Sequence, residues 1–95
     1  METLRLNSDL QDQFFAIKRE GSYCWRNGDW NGLRTNMQQA WEIIPEPNLQ
    51  YDMSYLAAWM MCEALLPLRK FEELKTWKRF KQRIIHTHFP FSMIA

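Results

Sequence analysis

Ninety-five residues at 11.6 kDa make one domain, since domains run from about 50 to 250 residues and a second would have almost no core. A hydrophobic share of 46% against 24% charged residues excludes a disordered segment, and 3 Gly with 4 Pro exclude collagen-like, linker-like and loop-rich chains. Twelve bases against eleven acids leave a net charge of +1, without the global field that marks a nucleic-acid binder.

The opening stretch Met1-Glu2-Thr3-Leu4-Arg5 lacks the basic flank and apolar core of a secretory signal. Ser8-Asp9-Leu10-Gln11 has the spacing of a capping box and predicts a helix start. Leu10, Phe14, Ile17, Gly21 and Cys24 then follow at steps of four, three, four and three, one stripe of a 3.6-residue period. Asn27-Gly28 ends this first helix, because both residues tolerate the left-handed conformation of helix termini.

Asp29 is placed to cap a second helix, in which Trp30, Leu33, Met37, Ala40, Trp41 and Ile44 make another apolar stripe until Pro45 and Pro47 stop it. A polar connector over 46–50 leads to Asp52, the expected cap of a third helix from Met53 to about Leu66. That helix is apolar nearly all round and is expected at the centre of the fold. After Pro67, Phe71, Leu74, Trp77, Phe80 and Ile84 predict a fourth helix from Phe71 to about Ile85, and 86–95 form a tail with Pro90 and no helical period. No alternating strand pattern of useful length occurs. The expected class is all-α: two consecutive antiparallel hairpins, over about 8–45 and 52–85, in a single domain.

The hairpins look like two copies of one unit. Trp30 and Leu33 open the second helix as Phe71 and Leu74 open the fourth, 41 positions later. Cys24 and Cys62 belong to no C-x-x-C pair and read as free thiols of a reducing compartment. The longest apolar run, Leu56 to Cys62, is far short of the roughly 18 residues a membrane span needs. A soluble, cytoplasmic protein without membrane partners is expected.

Sites for chemistry are sparse. His86 and His88 form a lone H-x-H that needs further ligands, and no metal or other cofactor is expected. Neither Cys24 nor Ser54 has a His brought to it by local spacing, and Gly21, Gly28 and Gly32 do not form a phosphate-binding loop. No catalytic residue is assigned and no enzymatic activity is expected. Charge is uneven along the chain: residues 1–68 carry five bases against nine acids, residues 69–95 seven bases against two acids. Lys75, Lys78, Arg79, Lys81 and Arg83 make the fourth helix a basic patch, suited to phosphates or an acidic partner, or simply a solvated face.

Trp30, Trp41, Trp59 and Trp77 at helical spacing read first as core. Trp25, next to Cys24, sits at the edge of the first stripe beside Tyr23 and Arg26, so part of that cluster should reach the surface. Trp, Tyr and Arg are the residue types that dominate interface energetics.

Gly21, Gly28, Trp30, Ala40 and Pro45 fall at the spacing of a tetratricopeptide repeat, and the stretch Phe14 to Pro45 resembles that helical hairpin. In the second unit Phe71 is kept, but Arg69 stands where the turn glycine would fall and Lys81 where a small residue would fall. It reads as a degenerate repeat. More narrowly, Tyr23-Cys24-Trp25-Arg26-Asn27-Gly28-Asp29-Trp30, Ala40-Trp41-Glu42-Ile43-Ile44-Pro45-Glu46-Pro47 and Asp52-Met53-Ser54-Tyr55 resemble small tetratricopeptide-like proteins encoded beside bacterial polymorphic toxins. That resemblance implies an immunity protein that binds and neutralises its toxin domain. It also implies that the first helix of each hairpin lines the partner groove, so Tyr23, Trp25, Arg26, Tyr55 and Trp59 are the expected partner-binding residues.

Two hairpins leave one open end. Either 86–95, with Phe89, Phe91, Met93 and Ile94, folds back as a cap or a second chain covers that face, and the cap is favoured. The alternatives to a toxin-binding module are a nucleic-acid binder working through the fourth helix, the less favoured partner given the net charge, and a scaffold subunit that forms homo-oligomers.

Overall fold

A computed structural model describes the backbone of residues 4–88 and the side chains of residues 4–84. Four helices follow one another: α1 (Ser8–Arg26), α2 (Trp30–Glu42), α3 (Asp52–Leu65) and α4 (Phe71–His88), with a 3-10 turn over Asn48–Gln50 before α3. The described residues contain no strand, and each helix packs along its successor, which gives the expected all-α architecture of consecutive hairpins. Phe89, Phe91, Met93 and Ile94, expected in a capping tail, lie outside the described residues.

Helix starts differ from expectation by one residue in two places. Asn7, not Ser8, caps α1: its side-chain oxygen accepts from the Leu10 N–H at 2.9 Å, and burial of Leu6 just ahead fixes where the chain enters the helix. Asp52 is the first residue of α3 rather than its cap: Tyr51, in extended backbone, precedes the helix, and the Asp52 N–H bonds the Leu4 carbonyl at 3.0 Å. Leu4 also donates its N–H to the Gln50 carbonyl at 2.9 Å, an isolated parallel bridge that straps the amino-terminal segment to the connector between hairpins. At its other limit α4 runs to His88, past the expected end near Ile85.

The two hairpin turns share one backbone design. After α1, Gly28 adopts φ +69°, its N–H bonds the Trp25 carbonyl at 3.1 Å, and the Asp29 N–H bonds the Cys24 carbonyl at 2.8 Å. After α3, Arg69 adopts φ +58°, its N–H bonds the Leu66 carbonyl at 3.0 Å, and the Lys70 N–H bonds the Leu65 carbonyl at 3.1 Å. Each is a Schellman termination with a left-handed residue. The next helix then starts on the Asp29 or Lys70 carbonyl, accepting from Leu33 at 3.0 Å and from Leu74 at 2.9 Å. The 41-residue offset seen in the sequence is therefore kept, bond for bond, in the turns.

Small residues allow the helices to approach. A Cβ on Gly21 would stand 2.9 Å from the Met37 methyl and 3.3 Å from a Leu33 methyl, so glycine there seats α1 on α2. α3 is the centre of the molecule: Ala58, Met60, Met61, Cys62, Ala64 and Leu65 are buried, in a core shared with Leu33 and Met37 of α2 and Leu74, Trp77 and Ile84 of α4. A smaller cluster of Leu6, Phe14, Ala40, Ile44 and Ala57 closes the other end.

Aromatic contacts join alternate helices. Trp25 of α1 meets Trp59 of α3 with ring centroids 5.3 Å apart. Trp41 of α2 stacks on Phe80 of α4 at 5.4 Å and meets Trp77 edge-on at 4.9 Å. Arg34 makes a two-pronged ion pair with Glu73, 2.7 and 3.0 Å, across the same two helices. Arg34 and Glu73 are separated by 39 positions, and so are Trp41 and Phe80, so α2 and α4 run in the same direction. Phe71 departs from its expected place in the core stripe. It opens α4 at the turn, after α3 has stopped, and is 51% exposed.

Candidate protein-binding face

α1 and α3 lie side by side through the Trp25–Trp59 contact, and the expected partner-binding residues divide around it. Trp25 is half-buried at the edge of the α1 stripe because its ring turns toward α3. Trp59 occupies the only exposed position of α3, at 36% exposure, between buried Ala58 and Met60. Of the tryptophans read first as core, Trp77 is buried, Trp30 and Trp41 are half-buried and Trp59 is the most open to solvent. Tyr55, one turn earlier on α3, is half-buried against the core.

Tyr23 points elsewhere. Residues two apart on a helix diverge by about 200°, so Tyr23 leaves α1 on the side away from Trp25 and is 59% exposed. Arg26 lies between them in angle, with its guanidinium carbon 5.4 Å from the centroid of the Tyr23 ring. This cation–π contact restrains two exposed side chains that would otherwise be free. Phe15, 38% exposed on α1, adds a further aromatic that the sequence did not single out because it falls outside the apolar stripe.

The basic patch also divides. Lys75, Lys78, Arg79 and Arg83 share one outward face of α4 at steps of three, one and four, with the neutral Gln82 among them. Lys75 pairs with Glu72 at 3.3 Å. Lys81 lies off that face and is half-buried. With Lys78, it draws the Cys62 thiol pKa down, while burial, the larger effect, pushes it up.

Groups suited to chemistry are held in structural roles. Ser54 is fully buried and donates its hydroxyl to the Asn48 carbonyl, tying the connector to α3. Cys24 is half-buried; burial and then the neighbouring Asp29 carboxylate raise its pKa, which favours the neutral thiol over the nucleophilic thiolate. Cys24 and Cys62 are both free. Among the described residues no three His, Cys, Asp or Glu side chains converge on a point, and the side chains of His86 and His88 lie outside the described residues.

In comparisons with known proteins, no family model, no curated protein and no solved structure gives a significant match to the chain. Among the described residues no helix is long and apolar enough to cross a membrane.

Proposed function

We propose that this protein is a non-enzymatic protein-binding module whose α1/α3 face docks a partner chain, and that the partner is a bacterial toxin domain which it neutralises by covering its working surface. The observation that carries the reading is the Trp25–Trp59 ring contact, of which Trp59 is the exposed member, together with the exposed Tyr23–Arg26 cation–π pair on the adjoining side of α1. Trp, Tyr and Arg anchors that leave water for a partner pocket are the usual source of binding energy, where one is worth about 2 kcal/mol or more. The toxin as partner is supported by the resemblance of the segments around Tyr23–Trp30, Ala40–Pro47 and Asp52–Tyr55 to immunity proteins of polymorphic toxin systems. The free thiols of Cys24 and Cys62 support a reducing, cytoplasmic setting.

The test is co-expression with the toxin domain encoded beside the gene. Growth is expected to be rescued and a stable complex to be recovered, with rescue lost in Trp59→Ala combined with Arg26→Glu. Continued killing with no complex overturns the proposal.

A further inference from the structure

We infer that the outward face of α4 is a second binding surface, which takes the phosphate backbone of single-stranded nucleic acid. The reading is independent of the α1/α3 face, because it rests on other residues and on charge. Phe71, Lys75, Lys78, Arg79 and Arg83 stand at steps of four, three, one and four, so they line a single side of one helix. At a rise of about 1.5 Å per residue, that stripe is about 18 Å long, the span of three or four nucleotides of an extended strand.

Two of its cations are not consumed by the fold. Lys78 and Arg79 are exposed and have no ion-pair or hydrogen-bond partner among the described residues. Glu72 shares this side of α4 and is taken up by Lys75, and from Leu74 onward the sequence contains no Asp or Glu.

Charge alone would serve an acidic protein as well as a phosphate chain. The composition of the stripe favours the phosphate chain. A protein interface needs a desolvated apolar centre, and between Lys75 and Arg83 this face carries charged side chains, Thr76 and Gln82, with no large apolar residue among them. Phosphate contacts need no such centre, since their affinity comes from counterion release. At the head of the stripe stands Phe71, 51% exposed and displaced from the core where its sequence pattern put it. An open aromatic ring next to a row of cations is the arrangement on which an unpaired base stacks. Duplex bases, already stacked, cannot use it.

The experiment is fluorescence anisotropy of the full chain with a labelled oligothymidylate of about 12 nucleotides, with a duplex of the same length and poly-L-glutamate as competitors. Binding is expected to weaken as salt rises from about 50 to about 200 mM, with a log–log slope of about −2, corresponding to roughly three phosphates. Lys78→Gln with Arg79→Gln should shrink that slope by about 1 or more. Phe71→Ala should weaken binding about tenfold with the slope unchanged, since it removes stacking and no charge. Circular dichroism of each variant verifies that the helices are intact. No binding at about 50 mM salt, a slope indifferent to the Lys78/Arg79 change, or equal competition by duplex or poly-glutamate overturns the inference.

Discussion

Gly28 and Arg69 hold the same backbone conformation, φ +69° and +58°, in two turns whose hydrogen bonds correspond one for one. Glycine enters the left-handed region freely, whereas an arginine pays roughly 1–2 kcal/mol for its Cβ. The second turn also loses a cap. Asp29 accepts the Gly32 N–H on its side chain at 3.0 Å, while its counterpart Lys70 has no acceptor to offer.

Arg69→Gly should therefore stabilise the protein by about 0.5–1 kcal/mol, the relief of strain being partly offset by the freer unfolded chain. Lys70→Asp should add about 1 kcal/mol by capping α4. Gly28→Ala should cost about 1 kcal/mol. Urea denaturation of the three variants checks the set; destabilisation by Arg69→Gly would mean that its side chain holds the turn by some contact of its own.

The ion pair between Arg34 and Glu73 predicts a pH dependence. Its hydrogen bond with the guanidinium is the main reason the Glu73 carboxyl sits below its ordinary value of 4.5. A lowered carboxyl pKa adds stability above the unfolded value, and that stability is lost as pH falls through the lower folded value. Both side chains are more than one third exposed, so water screens the pair and its coupling should be only about 0.5 kcal/mol. A double-mutant cycle with Arg34→Met and Glu73→Gln should show that coupling at neutral pH. It should fade as pH falls below the ordinary carboxylate range and shrink in about 1 M salt.

Two glycines should respond differently to one methyl group. At Gly21 the nearest obstacle is the free end of Met37, which can rotate aside, and alanine is the better helix former; Gly21→Ala should be within about 1 kcal/mol of neutral. At Gly32 the added carbon would collide with the Asp29 carboxylate that caps α2 and come to 2.7 Å from the Cys24 sulfur. Gly32→Ala should cost about 1–2 kcal/mol through loss of the cap and crowding. Thermal melts of the two variants separate them, and equal losses would contradict this account.

What the sequence showed depended on how local the cause was. Stripes such as Leu10–Phe14–Ile17–Gly21 and the stop at Pro45 revealed the helices because period and breaker act within one element. The cap of α1 was misplaced by one residue because Asn7 and Ser8 are comparable caps, and burial of Leu6 is a tertiary fact. The strap from Leu4 to Gln50 and Asp52 spans most of the first hairpin and leaves no local signature. The same limit applies to the candidate face. The expected residues form two contacting pairs, Trp25 with Trp59 and Tyr23 with Arg26, but that Trp25 turns toward α3 while Tyr23 turns away follows only from the packing of α1 beside α3.

Trp59 and Trp77 look alike in the sequence and should behave as opposites. Trp77 is buried and touches both Trp41 and Phe80, at 4.9 and 5.3 Å, so it links α4 to α2. Trp77→Ala removes that junction and should cost about 3–5 kcal/mol, the range for a large aromatic deleted from a core. Trp59 has solvent on one side and one principal ring partner, Trp25. Its removal should cost less than about 1.5 kcal/mol, because aromatic pairs of this kind are worth about 0.5–1.5 kcal/mol beyond area burial. Urea titrations followed by circular dichroism measure both changes without relying on tryptophan emission. A loss at Trp59 as large as that at Trp77 would make it a pillar of the fold, and its exposed ring would then need no partner to explain it.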